Sequence, residues 1–149
     1  MKEAIRLSIE NIKKGGGPFG SVIVKDGEII ATGTNHVTRQ NDPTAHAEIL
    51  AIREAAKKLN TFDLSGCTIY SSCEPCPMCL GAIYWAHIDK IYFGNTKYDA
   101  RKIGFDDSFI YEEIEKPFHA RKIETIQLLD KEAFSAFKLW NEKEDKIQY

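Results

Sequence analysis

Long hydrophobic runs are missing from the sequence, and so are internal repeats and low-complexity linkers. No segment is apolar over the length that a bilayer span requires. The first residues lack the basic and then apolar layout of a signal peptide. These absences favour a cytoplasmic protein. We interpret the 149 residues as one domain, since they suffice to bury a hydrophobic core without disulfide or metal staples.

An excess of basic charge is also missing. The 20 Lys and Arg residues are balanced by 22 Asp and Glu residues, so the formal net charge is −2 and the pI is about 6.1. Because contacts to phosphate dominate the affinity of proteins for nucleic acids, a protein that binds them usually presents a basic face. The charge balance therefore favours a small uncharged substrate over a large RNA.

Cysteine is scarce but clustered. Of the four cysteines, Cys73, Cys76 and Cys79 lie close together in the chain, whereas Cys67 stands slightly apart. In a cytosolic chain such a cluster is more typical of a metal site than of a disulfide scaffold. Cys67 lies in a strand-like pattern, and we interpret it as an apolar filler of the core.

Hydrophobic spacing and turn residues predict an α/β fold. Residues 2–14 are expected to form a helix, because Ile5, Ile9 and Ile12 share one helical face. An Asp-Gly pair at 26–27, between two short apolar runs, predicts a β-hairpin.

The rest of the chain alternates between helical and strand-like patterns. Asp42 followed by Pro43 is typical of a helix N-cap and the first helical position. Because crossovers between parallel strands carry helices to the faces of a sheet, we expect a three-layer α/β/α architecture with a central mixed sheet of five strands. The predicted helices are 2–14, 45–59, 75–83, 106–116 and 131–143, and the predicted strands are 19–24, 29–34, 66–71, 88–94 and 123–129.

Three residues have the spacing of a metal site. His46 lies at one predicted helix start, and Cys76 and Cys79 lie at another, on the same helical face. The positive end of a helix favours the thiolate, which is the form that binds zinc. Helix starts that follow strand ends meet at one edge of an open α/β sheet. The sequence therefore predicts one zinc ion per chain, held by His46, Cys76 and Cys79.

This ligand set favours a catalytic zinc site. Three protein ligands leave the fourth position of the metal for water, whereas structural zinc sites are closed. Zinc lowers the pKa of bound water to about 7. Glu48, two residues after His46, is placed to accept the proton of that water. His-x-Glu followed by Pro-Cys-x-x-Cys is also the signature of zinc deaminases.

The third clustered cysteine leaves two other interpretations open. Cys73, Cys76 and Cys79 have the spacing of some iron–sulfur sites, although such sites need a fourth ligand and no further cysteine follows. Alternatively, Cys73 completes a closed zinc site in a binding module without catalysis. We expect Cys73 to lie near the metal without binding it.

Several segments around these residues resemble one enzyme family. Residues 41–48 (NDPTAHAE) and 73–83 (CEPCPMCLGAI) resemble the purine-acting branch of the cytidine-deaminase-like zinc hydrolases, which includes guanine deaminases and tRNA adenosine deaminases. Residues 84–86 (YWA), residues 104–111 (GFDDSFIY) and the C-terminal Tyr149 are similar to the bacterial guanine deaminases. The resemblance covers nearly the whole chain. It implies hydrolytic deamination of guanine to xanthine and ammonia in purine catabolism or salvage.

The resemblance also implies roles for residues away from the metal. Asn35 would hydrogen-bond the purine, and the backbone at Ala47 would help to orient it. Asp107 would meet the amino group and assist proton transfer. From the pattern alone, Asn35 can also be a turn residue, and Asp107 is better explained as a helix cap.

Two aromatic residues and the C-terminus complete the expected site. Phe19 and Trp85 can each stack on a purine or belong to the core. The family exchanges its C-terminal segment between the protomers of a homodimer, which implies an exchanged arm over about residues 100–149. Tyr149 of one chain would then close over the site of the other.

Other substrates stay open within the same chemistry. A tRNA adenosine deaminase shares the zinc motif, but the net charge of −2 and residues 104–108 favour guanine. Guanosine stays open as well, because plant guanosine deaminases resemble this branch closely.

Overall fold

A mixed β-sheet of four strands organises the first part of the chain. The computed structural model describes residues 1–148, which divide into two compact units, Met1–Asp107 and the residues from Ser108 onward. The elements of the first unit are α1 (Lys2–Lys13), β1 (Gly20–Lys25), β2 (Glu28–Thr34), α2 (Val37–Gln40), α3 (Ala47–Leu59), β3 (Cys67–Cys73), α4 (Pro77–Trp85), β4 (Lys90–Asn95) and α5 (Lys97–Lys102).

The sheet has the order β2-β1-β3-β4. Strands β1 and β2 form the predicted hairpin, whose turn residues Asp26 and Gly27 have φ angles of 51° and 81°. Positive φ at both positions is what a type I′ turn requires, so the Asp-Gly pair predicted this turn correctly. Strand β3 runs antiparallel to β1 and parallel to β4. The predicted mixed sheet is therefore confirmed, with β3 and β4 as its parallel pair.

The prediction of a fifth strand at residues 123–129 is wrong. This segment is irregular, and within residues 1–148 it pairs with no strand. Its apolar side chains Ile123, Ile126, Leu128 and Leu129 are 65–79% exposed. Alternating apolar residues fit a strand, but a strand also needs a neighbour that satisfies its backbone groups. The described part of the chain offers none, so the sheet has four strands rather than five.

Two glycines allow helices to approach the two faces of the sheet. A Cβ atom on Gly20 would lie 2.4 Å from the carbonyl oxygen of Ala4 in α1, and one on Gly33 would lie 2.1 Å from that of Ala47 in α3. Gly33 pairs with Ser21, the residue after Gly20. Since successive residues of a strand face opposite sides, α1 and α3 cover opposite faces of the sheet. The first unit is therefore layered α/β/α.

The close approach of α1 determines which of its faces is buried. The helix was predicted correctly, but the residues that predicted it, Ile5, Ile9 and Ile12, are 41–54% exposed. The buried residues of α1 are small or polar: Ala4, Ser8 and Asn11. On the opposite side of the sheet, the hydrophobic core is formed by Ile23, Ala31, Ala51, Ala55, Leu64, Cys67, Ile69, Ile83 and Ala86. The interpretation of Cys67 as a core residue is thereby confirmed.

Both helices that carry the candidate ligands start later than predicted. Asp42 does not cap a helix; its Oδ1 accepts hydrogen bonds from the backbone and the hydroxyl of Thr44, at 2.8 and 2.7 Å, in a local turn. Helix α3 begins after its N-cap His46. Helix α4 has Cys76 as N-cap and Pro77, rather than Pro75, in its first turn. The ligands thus occupy the helix starts, as the motif spacing predicted.

The second unit, described by itself, is helical. It contains α6 (Ser108–Glu115), a 3₁₀ turn (Phe118–Ala120) and α7 (Asp130–Glu142), so the two helices predicted here are confirmed. Neither α6 nor α7 has a buried residue in the described chain. No helix within residues 1–148 is long and apolar enough to cross a membrane.

Candidate metal centre and adjoining cavity

Two helix starts bring the three predicted ligands together. His46 is the N-cap of α3, Cys76 is the N-cap of α4, and Cys79 follows within the first turn of α4. The Nδ1 atom of His46 lies 3.5 Å from the Sγ atom of each cysteine. The ligand atoms of the three residues all lie within 4.8 Å of one another. The spacing in the sequence therefore corresponds to a cluster in space.

The geometry of this cluster fits zinc. Tetrahedral zinc with Zn–N and Zn–S bonds of about 2.0 and 2.3 Å places a nitrogen and a sulfur ligand about 3.5 Å apart. The two separations observed here are both 3.5 Å. One imidazole and two thiols are also the donor set that zinc prefers over the oxygen-seeking cations.

The charge state of the cluster supports a cation as well. Hydrogen bonds from Cys79 and His46 lower the pKa of Cys76 to about 4. The same hydrogen bonds raise the pKa of Cys79 and of His46, so the three groups share protons with one another. A metal ion takes the place of these shared protons when such ligands bind it.

Cys73 does not belong to the ligand cluster. Among residues 1–148 the group of potential ligands consists of His46, Cys76 and Cys79. The thiol of Cys73 lies 3.7 Å from the carbonyl oxygen of Thr96, and burial raises its pKa to about 11. The described residues thus provide three ligands and no fourth.

Glu48 lies next to the cluster and outside it. It is the second residue of α3 and only 5% exposed. Its Oε1 accepts a hydrogen bond from the hydroxyl of Ser71, and its Oε2 lies 3.4 Å from Sγ of Cys79. Burial raises the pKa of this carboxyl group. A buried carboxyl with a raised pKa is suited to accept and return a proton near neutral pH.

A cavity of about 470 Å³ opens beside these residues. Its lining includes Phe105 and six of the predicted residues: Phe19, Asn35, His46, Glu48, Cys76 and Asp107. A volume of this size is in the usual range for small-molecule sites. The cavity is thus lined both by candidate metal ligands and by residues for which the resemblance implies a role in substrate binding.

The position of Asn35 is held from several sides. Its backbone N–H donates to the carbonyl of Phe19 at 3.2 Å, and its side-chain Oδ1 accepts from the N–H of Val37 at 3.3 Å. The buried Asn11 donates from Nδ2 to the carbonyl oxygens of Asn35 and Gly17, at 2.8 and 2.9 Å. Asn35 is itself 8% exposed. Its side-chain NH2 group is free of these contacts and can serve as a donor.

Aromatic and acidic residues form other parts of the cavity wall. The rings of Phe19 and Phe105 meet edge to face with centroids 4.9 Å apart. Asp107 lines the same cavity, and burial raises the pKa of its carboxyl group. Ala47 is fully buried at the first position of α3, where the backbone N–H has no partner within the helix.

The structure does not bring every predicted residue to the site. Trp85 lies at the end of α4, is 66% exposed and is not among the described residues that line the cavity. Tyr149 lies outside the described residues.

Three residues at the site escaped the sequence analysis. Ser71, Asn11 and Phe105 contact Glu48, Asn35 and Phe19 respectively. The only sequence signal for the first two is a polar residue at a position where the strand or helix pattern expects an apolar one. Phe105 belongs to a segment quoted for its resemblance, without a role of its own.

Comparison with known proteins agrees with this site. Residues 1–95 match the family described as the cytidine and deoxycytidylate deaminase zinc-binding region. A guanine deaminase of Bacillus subtilis is 52% identical over 150 residues, which cover 100% of this chain and 96% of that protein. A tRNA-specific adenosine deaminase of Aquifex aeolicus is 47% identical over 93 residues, 62% of each chain.

Solved structures give the same grouping. The X-ray structure of the Bacillus subtilis guanine deaminase superimposes with a TM-score of 0.96 at 52% identity, covering 99% of this chain and 95% of that one. A guanine deaminase from Nitrosomonas europaea gives a TM-score of 0.69 at 37% identity, covering 72% and 63%. The match over residues 1–95 shows that the chain belongs to the cytidine and deoxycytidylate deaminase family of zinc-binding enzymes, and His46, Cys76 and Cys79 form a possible metal site within these residues.

Proposed function

We propose that the protein is a zinc-dependent hydrolase that converts guanine and water into xanthine and ammonia. This proposal rests on how much of the chain is similar to a known guanine deaminase. Similarity to the Bacillus subtilis guanine deaminase runs over 100% of the chain, whereas similarity to the Aquifex aeolicus tRNA deaminase covers 62%. The family match ends at residue 95. The part of the chain beyond it, which includes Asp107, therefore favours guanine over adenosine in tRNA.

Glu48 carries the protons in the proposed reaction. Zinc held by His46, Cys76 and Cys79 supplies, when bound, a Lewis acid that activates water at neutral pH. The Glu48 carboxylate accepts a proton from water and gives it to the ring nitrogen beside the carbon that bears the amino group. It then moves a second proton to the departing nitrogen. A C–O bond forms, the C–N bond breaks, and ammonia leaves.

Residues of the cavity wall, together with the backbone of Ala47 between the lining residues His46 and Glu48, bind and orient the purine in this proposal. The side chain of Asn35 and the backbone N–H of Ala47 hydrogen-bond its polar edge, and Phe19 supplies an apolar wall. Asp107 meets the exocyclic amino group and assists its departure. Burial raises the pKa of Asp107, which brings this carboxyl group closer to the range in which it can share a proton with the amino group.

An ammonia-release assay tests the proposal directly. The purified zinc-loaded protein should release ammonia from guanine faster than from guanosine, adenine, cytosine or cytidine. Glu48→Gln should keep one zinc per chain, measured by elemental analysis, and lose at least about 100-fold in kcat because proton transfer is removed. Preference for another compound would reassign the substrate, and an active Glu48→Gln variant would remove the role of Glu48.

The second candidate substrate is adenosine in tRNA, which the 47% identity to the Aquifex aeolicus enzyme favours. A tRNA-binding protein shifts tRNA in a gel, and the shift weakens steeply with salt. A salt-dependent shift together with inosine formation would support this function instead.

We further propose a homodimer of single-domain chains that exchange an arm of about residues 100–149. Apolar side chains exposed in α7 support an additional partner: Phe134, Phe137, Leu139 and Trp140 are 44–70% exposed. In the exchanged dimer, Tyr149 closes over the partner's cavity. Light scattering should give twice the chain mass of 16.9 kDa. Removal of Tyr149 should raise KM or lower kcat for guanine; an unchanged enzyme would rule out the closure.

The cytoplasm is the proposed location of this enzyme. Cys76 and Cys79 must stay reduced to bind zinc, and reducing conditions are those of the cytosol.

A further inference from the structure

A buried hydroxyl group on the central sheet points at Glu48. Ser71 lies in β3, an interior strand that pairs with β1 on one side and β4 on the other, and it is only 1% exposed. Ile69, two residues earlier and on the same face, belongs to the core beneath α3 and α4. The hydroxyl of Ser71 is therefore held by the most constrained part of the fold.

Strand propensity does not explain a serine at this position. Buried positions of interior strands favour β-branched and aromatic residues, and Ser71 fills less volume than either. Burial of a hydroxyl group is unfavourable unless it forms a hydrogen bond. Ser71 forms that bond with Oε1 of Glu48, across the interface between β3 and α3.

Zinc binding leaves Ser71 as the side-chain hydrogen-bond donor to this carboxylate. In the structure, Oε2 of Glu48 lies 3.4 Å from the thiol of Cys79, which can donate its proton. A cysteine that binds zinc does so as a thiolate and has no proton to donate. Of the two side chains that contact the Glu48 carboxylate in residues 1–148, Ser71 alone then donates to it.

We propose that Ser71 is a positioning residue, which fixes the Glu48 carboxylate by a hydrogen bond to Oε1 and leaves Oε2 directed toward the metal ligands. The inference rests on the proposed function of Glu48 as proton carrier. Ser71 does not touch the substrate, since it is not among the described residues that line the cavity. Loss of its hydroxyl should therefore lower kcat and leave KM nearly unchanged.

Two matched substitutions test the role of the hydroxyl group. Ser71→Thr keeps it, and Ser71→Val has the same shape without it. Ser71→Thr should retain kcat within about threefold. Ser71→Val and Ser71→Ala should lose about 10- to 100-fold in kcat, the range for a misplaced catalytic group, with KM within about threefold and one zinc per chain.

The neighbouring serine is the control. Ser72 is also buried, at 4% exposure, but its hydroxyl faces the other side of the sheet and accepts a hydrogen bond from the N–H of Gly20. Ser72→Ala should leave kcat within about threefold. Full kcat in Ser71→Ala would overturn the proposal, even if the two branched variants fail to fold.

The position of the Glu48 carboxylate can be measured even if the proposed function is wrong, so the two proposals can be tested separately. If the wild-type protein prefers another base, the same variants are measured on that base. If it deaminates none, crystal structures of zinc-loaded wild type and Ser71→Ala decide, because the proposal requires the Glu48 carboxylate to leave its position in the variant. An unchanged carboxylate would overturn it.

Discussion

At the residue scale, buried polar side chains hold the cavity in shape. Asn11 is 2% exposed, and its amide nitrogen joins the carbonyl groups of Gly17 and Asn35. Its Oδ1 atom has no hydrogen-bond partner within residues 1–148. An unpaired buried acceptor is unfavourable by about 1–3 kcal/mol. We infer that the position of Asn35 depends on the hydrogen bond that its carbonyl accepts from the NH2 group of Asn11.

Replacement of Asn11 should therefore affect both stability and substrate binding. Asn11→Leu keeps the size and removes the unpaired Oδ1, but it leaves the carbonyl of Asn35 without its donor, whereas the carbonyl of Gly17 keeps the N–H of Phe19 at 2.9 Å. We expect the free energy of unfolding to fall by about 2 kcal/mol in urea titration. KM for guanine should rise several-fold because Asn35 is released.

Ser8→Ala is the control for Asn11. Ser8 belongs to the same buried face of α1, but its hydroxyl bonds to the carbonyl of Ile5 within the helix, at 2.8 Å. This variant should keep KM. If Asn11→Leu also keeps KM, Asn35 does not need the contact.

The adjacent acids Asp106 and Asp107 offer a matched pair. Asp107 has a pKa raised by burial, whereas the carboxylate of Asp106 forms an ion pair with Arg101 at 3.1 Å. Asp107→Asn should lower kcat for guanine by about 10-fold or more, since general acid–base groups contribute factors of about 10²–10⁴. Asp106→Asn should change kcat far less. Equal effects would indicate that general electrostatics, rather than Asp107 itself, matters.

At the scale of helices and strands, short sequence patterns predicted the features that depend on contacts between neighbouring residues. The Asp26-Gly27 hairpin and the placement of His46 and Cys76 at helix starts follow from short spacings and are confirmed, although both helices begin two residues later than predicted. Helix α5 was missed, although Thr96 and Asp99 form a capping box there. Its short, charged sequence carries no hydrophobic period for a pattern to detect.

Contacts between distant segments could not be predicted. Ser71 bonds to Glu48, 23 positions away in the sequence, and Asn11 bonds to Asn35, 24 positions away. The register of the sheet and the packing of α1 on it bring these residues together. The same limit explains the wrong strand at 123–129, whose pattern suits a sheet but whose partner is absent from residues 1–148. Zinc ligands could be found from spacing; the residues that position them and shape the cavity could not.

Helix α3 packs closely on the sheet at Gly33, and this leads to a prediction about the position of the helix. A Cβ atom at Gly33 would lie 2.1 Å from the carbonyl oxygen of Ala47 and 2.7 Å from the N–H nitrogen of Ala51. These backbone atoms cannot move independently of their helix. Gly33→Ala must therefore push the whole of α3, with His46 and Glu48, away from β2. We expect a loss of about 3 kcal/mol in the free energy of unfolding, and weaker zinc binding.

Gly81→Ala is the matched control for Gly33. Apart from the backbone of α4 itself and the residues next to Gly81, no atom of residues 1–148 lies within 4 Å of a Cβ at Gly81, in the middle of α4. Alanine there should raise the free energy of unfolding by about 0.5–1 kcal/mol through helix propensity. Thermal unfolding and zinc titration of both variants test the comparison. Normal zinc affinity in Gly33→Ala would show that the ligands do not depend on how closely α3 packs.

At the scale of the whole molecule, zinc bound at the proposed site would link two helices of the fold. His46 belongs to the start of α3, and Cys76 and Cys79 belong to the start of α4, 30 and 33 positions away. A ligand that binds only the folded state stabilises it by about 4 kcal/mol at 1,000 times its Kd. Zinc should therefore act on the stability of the entire folded chain as well as on its chemistry.

Removal of zinc should lower the melting temperature by about 10 °C, the shift that such a free energy gives for a chain of this size. Calorimetry of the chelated and reloaded protein measures it. Cys76→Ser should abolish the zinc-dependent shift because a ligand is lost, whereas Cys73→Ser should keep it, since Cys73 contacts the carbonyl of Thr96 instead. Loss of the shift in both variants would mean that Cys73 binds zinc and that the site is closed, which is incompatible with activation of water by the metal.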